Sequence, residues 1–304
     1  MNHRVHRILV LISARAGLGK SAAAITRAVN KYWDRPENEL TFHLSANPDD
    51  SRRRSARARD NGTETLLIAG GDGMVNSVGP ELLGSSLALG VLPTGSGNGF
   101  ARHFNIPLNL DHAARALAAA RRIPIDVGTA NGRPFFVTCG LAWDAALVRS
   151  FEKSPIRGIV PYFLAGAIEY FAYERQPFEV LLDGSEKLRF PDPMLFTIAN
   201  LTEYGGGAKI APQARPDDGL LELVVIAGQD FHRLLASFNR LYDGTLDQHP
   251  GVLSRRFCQL DVHRAQPAPI QVDGELVATR EADVAIRILP KALTVLVPEA
   301  AKKR

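Results

Sequence analysis

Two successive apolar runs in the first third of the chain each end in a cluster of glycines and then pass into a helix-forming stretch. The first run, Thr65–Ala69, leads into Gly70-Gly71-Asp72-Gly73 and a predicted helix over Met74–Leu83. The second, Leu87–Leu92, leads into Pro93-Thr94-Gly95-Ser96-Gly97-Asn98-Gly99 and a further helix. Continuous apolar strands separated by helices predict a parallel sheet covered on both faces. Ligands of such sheets bind beyond the carboxyl ends of the strands, where both glycine loops would lie. Glycine permits close backbone approach, so two adjacent loops of this kind can offer several N–H donors to one anion. The alternative for Gly70–Gly73 is a plain turn, with Asp72 capping the helix behind it.

The same alternation runs from the start of the chain. Arg7–Ser13 and Leu40–Leu44 read as strands, and Ser21–Tyr32 and Pro48–Asn61 as helices. After Ile125-Asp126-Val127-Gly128 the pattern changes to closely spaced strands. Asn131-Gly132 marks a hairpin between Val127–Ala130 and Phe135–Cys139, and Asp183-Gly184 marks a second. Further strands are expected at Leu195–Ala199, Leu220–Ile226, Phe257–Val262, Ile270–Val272, Val284–Leu289 and Leu293–Val297, with helical inserts at Pro161–Tyr173 and Asp230–Leu241. Such a succession of strands argues for an antiparallel sandwich or barrel. Two domains are therefore expected, divided near residue 128.

Composition excludes several classes. Two cysteines, Cys139 and Cys258, rule out a disulfide scaffold, and neither belongs to a metal-binding Cys-x-x-Cys. The histidines show no zinc-ligand spacing. Ser21 and Ser96 lack a triad, so an acyl hydrolase is unsupported. A net charge of +4 does not mark a nucleic-acid binder. No signal peptide or membrane span is recognisable, and a cytoplasmic protein is expected. Arg52, Arg53, Arg54, Arg57 and Arg59 crowd one predicted helix. They form either a solvated face or a contact with an anionic membrane. Ala14-Arg15-Ala16-Gly17-Leu18-Gly19-Lys20-Ser21 fits a relaxed Walker A pattern. It lacks the leading glycine, and no strand ends cleanly in a magnesium-binding aspartate, so a glycine-eased turn is the competing reading.

Gly70-Gly71-Asp72-Gly73-x-x-Asn76, followed by Leu92-Pro93-Thr94-Gly95-Ser96-Gly97-Asn98-Gly99-Phe100-Ala101-Arg102, resembles the diacylglycerol kinase catalytic-domain superfamily, which includes bacterial lipid kinases, sphingosine kinases and ceramide kinases. Ile125–Gly128, Ala211-Pro212, Arg215–Leu221 and Val272-Asp273-Gly274-Glu275 agree in family order. The resemblance implies an α/β nucleotide-binding domain like that of NAD kinase, with a parallel sheet, over residues 1–128 and completed by about 290–304. A β-rich sandwich domain for the lipid would occupy 129–289.

The activity implied is ATP-dependent phosphorylation of a hydroxyl on a diacylglycerol-like or sphingoid lipid, with Mg2+. Gly70, Gly71, Asp72, Gly73, Asn76, Gly95, Ser96, Gly97, Asn98 and Ser45 would bind the nucleotide. Asp72 and Asp126 would hold magnesium through water, and Asp273 would be the general base. Asp218, with the carbonyls of Arg215 and Leu220, resembles a separate structural magnesium site. On residues alone, Asp273-Gly274 is an ordinary hairpin turn, and Pro216–Gly219 a type I turn before a strand. Trp143-Asp144 and the 161–173 helix would line the lipid cleft or simply pack the core. Met74, Ser77 and Gly99 depart from the family's common Thr, Glu and Asp, which weakens an assignment to diacylglycerol in particular. The alternatives are an NAD kinase-like enzyme and a catalytically weak nucleotide- or lipid-binding regulator. Peripheral contact with an anionic membrane and no nucleic-acid partner are expected, and a homodimer is left open.

Overall fold

The structure, a computed structural model, describes residues 5–14, 21–146, 173–228, 233 and 236–299. The motif Gly17–Lys20, the apolar stretch 161–172 and the tail Ala301–Arg304 lie outside the described residues. The chain forms two compact units. One comprises Met1–Asp126, Gly205–Gly207 and Pro290–Arg304; the other comprises Val127–Tyr204 and Ala208–Leu289.

In the first unit, strands β1 (His6–Ser13), β2 (Asn38–Ser45), β3 (Thr65–Gly70) and β4 (Ala88–Pro93) lie parallel in the order β2-β1-β3-β4. The C-terminal part of the last strand, Asp283–Val297, adds to β4 in parallel through Val295 opposite Leu89. Strands β3 and β4 are buried along their whole length, which is why they read as unbroken apolar runs. Leu66, Leu67 and Ile68 are fully buried, each contributing roughly 1.5–3 kcal/mol by leaving water.

Helix α1 (Ala22–Trp33) is capped by Ser21, whose hydroxyl accepts from Ala24 N–H, and it buries Ile25, Ala28, Val29 and Trp33. Helix α2 (Pro48–Asp60) starts at Asn47 with Pro48 in its first turn and buries only Ser51, Ser55 and Ala58, so its arginines form the outer face. The helix expected over Met74–Leu83 is shorter. Helix α3 (Asp72–Val78) gives way to a tight 3₁₀ turn at Gly79–Leu82, because Pro80 cannot continue the α-helical hydrogen bonding. Helices α4 (Gly99–His103) and α5 (Leu110–Ala118) precede β5 (Arg121–Ala130).

The second unit is an antiparallel β-sandwich. One sheet runs β14 (Val252–Phe257), β13 (Leu221–Ala227), β10 (Pro193–Ala199), β7 (Thr138–Gly140), β16 (Ile270–Val272), β17 (Glu275–Val277). The other places the N-terminal half of β18 (Asp283–Val297) beside β15 (Gln259–Arg264), β8 (Phe178–Leu182) and β9 (Glu186–Phe190). Short strands β11 (Glu203–Gly205) and β12 (Ala208–Lys209) form a separate ribbon, and β6 (Arg133–Phe135) pairs with β5. Phe135, Phe178, Phe196, Leu223, Phe257, Leu260 and Ile286 interdigitate between the sheets, with Phe178 and Phe196 edge to face at 5.0 Å.

Four predicted strands differ, each for a long-range reason. Phe135–Cys139 is broken into β6 and β7, since the amides between them bond to the side chain of Asp273. Phe257–Val262 is two strands that change sheet at Cys258, where Asp183 accepts from Cys258 N–H and Gln259 N–H. Val284–Leu289 and Leu293–Val297 are one strand, bent at Pro290–Lys291. There Lys291 takes φ +51° and donates its N–H to Asp126 Oδ1 at 2.8 Å.

Candidate functional site

The loops after β3 and β4 cross in direct contact. A Cβ on Gly95 would stand 2.6 Å from Gly71 Cα, and one on Gly71 would stand 3.0 Å from Gly95 Cα. Neither position accepts a side chain without parting the loops. Thr94 N–H donates to Gly70 O at 3.0 Å across the same crossing. Asn98, at φ +53°, fixes the second loop: its Oδ1 accepts from Gly95 N–H at 3.0 Å and its Nδ2 donates to Gly95 O at 2.7 Å. Asp72 then joins the loops, its carboxylate accepting from Gly99 N–H and Phe100 N–H, both at 2.9 Å. It thus caps the neighbouring helix α4.

Burial pushes the Asp72 carboxyl above its ordinary range, against the pull of the Phe100 and Gly99 N–H groups. No lysine or arginine pairs with Asp72 among the described residues. A cation bound nearby would relieve that imbalance, so Asp72 fits a role beside magnesium. Thr94 Oγ1 is buried without a hydrogen-bond partner among the described residues. A buried hydroxyl of this kind calls for a ligand atom or a water. Gly73 and Ser96 are exposed, and a Cβ on Gly73 would meet nothing within 4 Å. Asn76 is buried in α3, and Met74 folds over Gly70. Ser77 donates to Gly73 O at 2.8 Å. A third glycine segment, Gly205–Gly207, meets Gly97 through a 3.0 Å bond from Gly206 N–H to Gly97 O. All three of its residues have positive φ. Three consecutive glycines are the signal that marks this segment in the sequence.

The remaining predicted residues have partners of their own within the protein. Ser45 is buried at the turn into α2, donating to Asn47 O at 3.1 Å and lying 2.5 Å from Ser51 Oγ. Asp126 is 1% exposed and anchors the Lys291 bend. Asp218 does not offer a metal-ready carboxylate. Its Oδ2 pairs with the Arg256 guanidinium and its Oδ1 accepts from Leu220 N–H at 3.1 Å. Arg215 leans to Asp217 at 3.7 Å. A guanidinium already stands at Oδ2, so a magnesium ion on this carboxylate would have to displace Arg256. Among the described residues no group of three or more His, Cys, Asp or Glu side chains is set to hold a metal.

In the second unit, Asp273-Gly274 is a two-residue hairpin turn between β16 and β17, with φ +48° and +80°. The Asp273 side chain is nonetheless turned inward. Its Oδ2 accepts from Phe136 N–H at 2.8 Å, and its Oδ1 from Val137 N–H at 2.7 Å and Thr138 N–H at 3.0 Å. Asp144 is also buried, accepting from Ala142 N–H at 2.9 Å, Ala145 N–H at 3.1 Å and Thr197 Oγ1 at 2.8 Å. Thr197 Oγ1 lies 2.5 Å from Tyr204 Oη. Burial raises the Asp144 carboxyl to about 6, opposed by the Thr197 hydroxyl and the two amides. Gly140 is required beside it, since a Cβ there would stand 1.9 Å from Asp144 Oδ2.

Residues 7–130 match the model of the diacylglycerol kinase catalytic domain, and residues 137–297 match that of the YegS C-terminal NAD kinase beta sandwich-like domain. The chain belongs to the diacylglycerol kinase and YegS lipid-kinase family. A relative named diacylglycerol kinase, from Mycobacterium tuberculosis (strain CDC 1551 / Oshkosh), is 28% identical, covering 97% of this chain and 96% of that protein. A probable lipid kinase YegS-like protein of Citrobacter koseri is 27% identical, covering 86% and 87%. A solved diacylglycerol kinase from Bacillus anthracis str. Sterne superposes with a TM-score of 0.74 at 17% identity, covering 97% of each chain, and shares the fold. The family thus combines the two architectures described above, an α/β sheet and a β-sandwich. Among the described residues, no helix is long and apolar enough to cross a membrane.

Proposed function

We propose that this member of the family is an ATP-dependent lipid kinase that transfers the γ-phosphate to a hydroxyl of a diacylglycerol-like or sphingoid lipid. The observation that carries the reading is the crossing of Gly71 over Gly95, with the orphan Thr94 hydroxyl beside it. Phosphoryl transfer relies mainly on positioning and electrostatics, and crossed glycine loops let phosphate oxygens approach backbone N–H groups closely. Magnesium, when bound with the nucleotide, would neutralise charge on the phosphates. Asp72 would face its water shell while holding the two loops together. Asp273 would accept a hydrogen bond from the lipid hydroxyl, orienting it and taking its proton as the bond to phosphorus forms.

A lipid substrate requires a visit to the bilayer, and α2 is the proposed contact with anionic membrane. Its arginines are partly neutralised: Arg52 pairs with Asp49 at 3.1 Å, Arg53 and Arg54 each approach Asp50 at 3.7 Å, and Arg59 pairs with Asp60 at 2.8 Å. The helix presents a net charge of two rather than five.

The test is transfer from radiolabelled ATP to a panel of diacylglycerols, sphingoid bases and NAD. Label on a lipid supports the proposal. Label on NAD alone replaces it with an NAD kinase-like activity, and nucleotide binding without transfer replaces it with a regulatory role.

A further inference from the structure

Arg264, the last residue of β15, has no solvent exposure, yet no carboxylate pairs with it among the described residues. Its guanidinium is held by four oxygens instead. Nε donates to Ala282 O at 3.0 Å, Nη1 to Ala268 O at 2.7 Å, and Nη2 to Thr279 Oγ1 at 2.9 Å and Glu281 O at 3.3 Å. Thr279 Oγ1 in turn donates to Ala268 O at 2.7 Å. A buried cation is costly, so the four bonds that satisfy it tie down whatever supplies their oxygens.

What it fixes is one hairpin. Ala268 precedes β16, and Thr279, Glu281 and Ala282 follow β17. The hairpin has only three pairs, Ile270–Val277, Gln271–Leu276 and Val272–Glu275, and β17 is the edge strand of its sheet. A hairpin so short does not hold itself. Its turn carries Asp273. We infer that Arg264 is a positioning residue for the reaction, clamping both arms of this hairpin so that the Asp273 carboxylate stays fixed on the amides of residues 136–138. The catalytic part of this inference rests on the assignment of Asp273 to the lipid hydroxyl; the clamp itself does not.

A planar fork with five N–H donors can reach acceptors on both arms, whereas an ammonium is a single point. Arg264→Lys therefore keeps the charge and loses the clamp. Thr279→Val removes one acceptor and the bridge to Ala268 at nearly constant shape. Hydrogen exchange at Phe136, Val137 and Thr138 would be compared with that at Leu223–Val225 in β13, alongside kcat and the KM for ATP.

In Arg264→Lys, exchange at 136–138 should quicken by about 10-fold or more while β13 is unchanged. Turnover per folded molecule should fall on the order of 10-fold to 100-fold, with the KM for ATP unaltered. Thr279→Val should shift the same observables less, and it carries the test if the lysine variant does not fold. Unchanged exchange at 136–138 in a folded variant overturns the clamp. So does an equal rise in β13, which would mean general loss of stability. Local loosening with unaltered turnover supports the clamp, and overturns both the assignment of Asp273 and the positioning role of Arg264 in the reaction.

Discussion

Replacing Asp273 by asparagine tests structure and chemistry together, and the structure sets the size of the first effect. The carboxylate accepts three backbone N–H bonds, one on Oδ2 and two on Oδ1. Asparagine keeps a single acceptor oxygen. Placed on Val137 and Thr138, that oxygen leaves Nδ2 facing Phe136 N–H, donor against donor. One buried N–H without a partner costs about 1–3 kcal/mol, and two bonds that lose charge assistance weaken by about 1 kcal/mol each. The turn adds no backbone strain, because asparagine tolerates φ near +48°. The variant should thus lose about 3–5 kcal/mol, equivalent to a fall in Tm of roughly 6–20 °C. Turnover per folded molecule should fall about 10²–10⁴-fold if the carboxylate also assists the lipid hydroxyl. Thermal melting and urea titration would read the first effect. Lipid phosphorylation at a temperature where the variant is folded would read the second, with ATP binding as the control that should change little. A variant melting with the wild type would refute the hydrogen-bond argument; a folded variant with full turnover would leave Asp273 a turn residue only.

Other outcomes follow from the same reasoning. Gly95→Ala should force the loops apart at an overpacking cost of about 1–3 kcal/mol and abolish nucleotide binding by calorimetry. Gly73→Ala, with open space around it, should leave the free protein at least as stable but weaken ATP; unaltered affinity would place the phosphates elsewhere. The Asp144 carboxyl, raised to about 6, binds its proton more tightly folded than unfolded, so its own contribution to stability should be full below pH ~4 and be lost, by at most ~3 kcal/mol, as pH rises through 6. Asp144→Asn, which keeps the acceptor for Ala142 and Ala145, should flatten that profile in urea titrations across pH. Binding to anionic vesicles through α2 should be weak, on the order of 2 kcal/mol for its net charge, and lost in high salt; equal sedimentation with neutral vesicles would dismiss the contact. Mn2+ titration without nucleotide should detect no ion at Asp218 while Arg256 is present; binding that vanishes in Asp218→Asn would show that the guanidinium yields to a metal.

Local chemistry made much of this legible in advance. The parallel strands announce themselves because burial on both faces leaves no polar position in Leu66–Gly70 or Ala88–Pro93. Asn131-Gly132, Asp183-Gly184 and Asp273-Gly274 adopt the positive φ pairs that their side chains tolerate. What was hidden depends on partners distant in sequence. No local rule predicts that Asp273 interrupts a strand at residues 136–138, or that Asp126 lets one strand pass through Pro290–Lys291. The two glycine loops were each visible, but the contact of Gly71 with Gly95 arises only when β3 and β4 are adjacent. Likewise the ion pair of Asp218 with Arg256 joins residues 38 positions apart, and no local pattern announces it.

One use of aspartate recurs through both units and bears on how the site must be tested. Where strands end, change sheet or bend, N–H groups lose their ladder partners. A short carboxylate can satisfy several at once. Asp72 does so for Gly99 and Phe100, Asp144 for Ala142 and Ala145, Asp183 for Cys258 and Gln259, and Asp273 for three consecutive amides. Asp183 belongs to a turn with no assigned chemistry, so a held carboxylate is not by itself a mark of catalysis. The converse also holds, since a group fixed by several N–H bonds is positioned as phosphoryl transfer requires. Loss of activity on mutation therefore cannot separate the two uses. The separation comes from comparing the aspartates under one protocol: Asp183→Asn should lower stability and leave turnover per folded molecule intact, whereas Asp273→Asn should lower both. Equal behaviour of the two variants, in either direction, would remove the distinction between a carboxylate that builds the loop and one that also acts in the reaction.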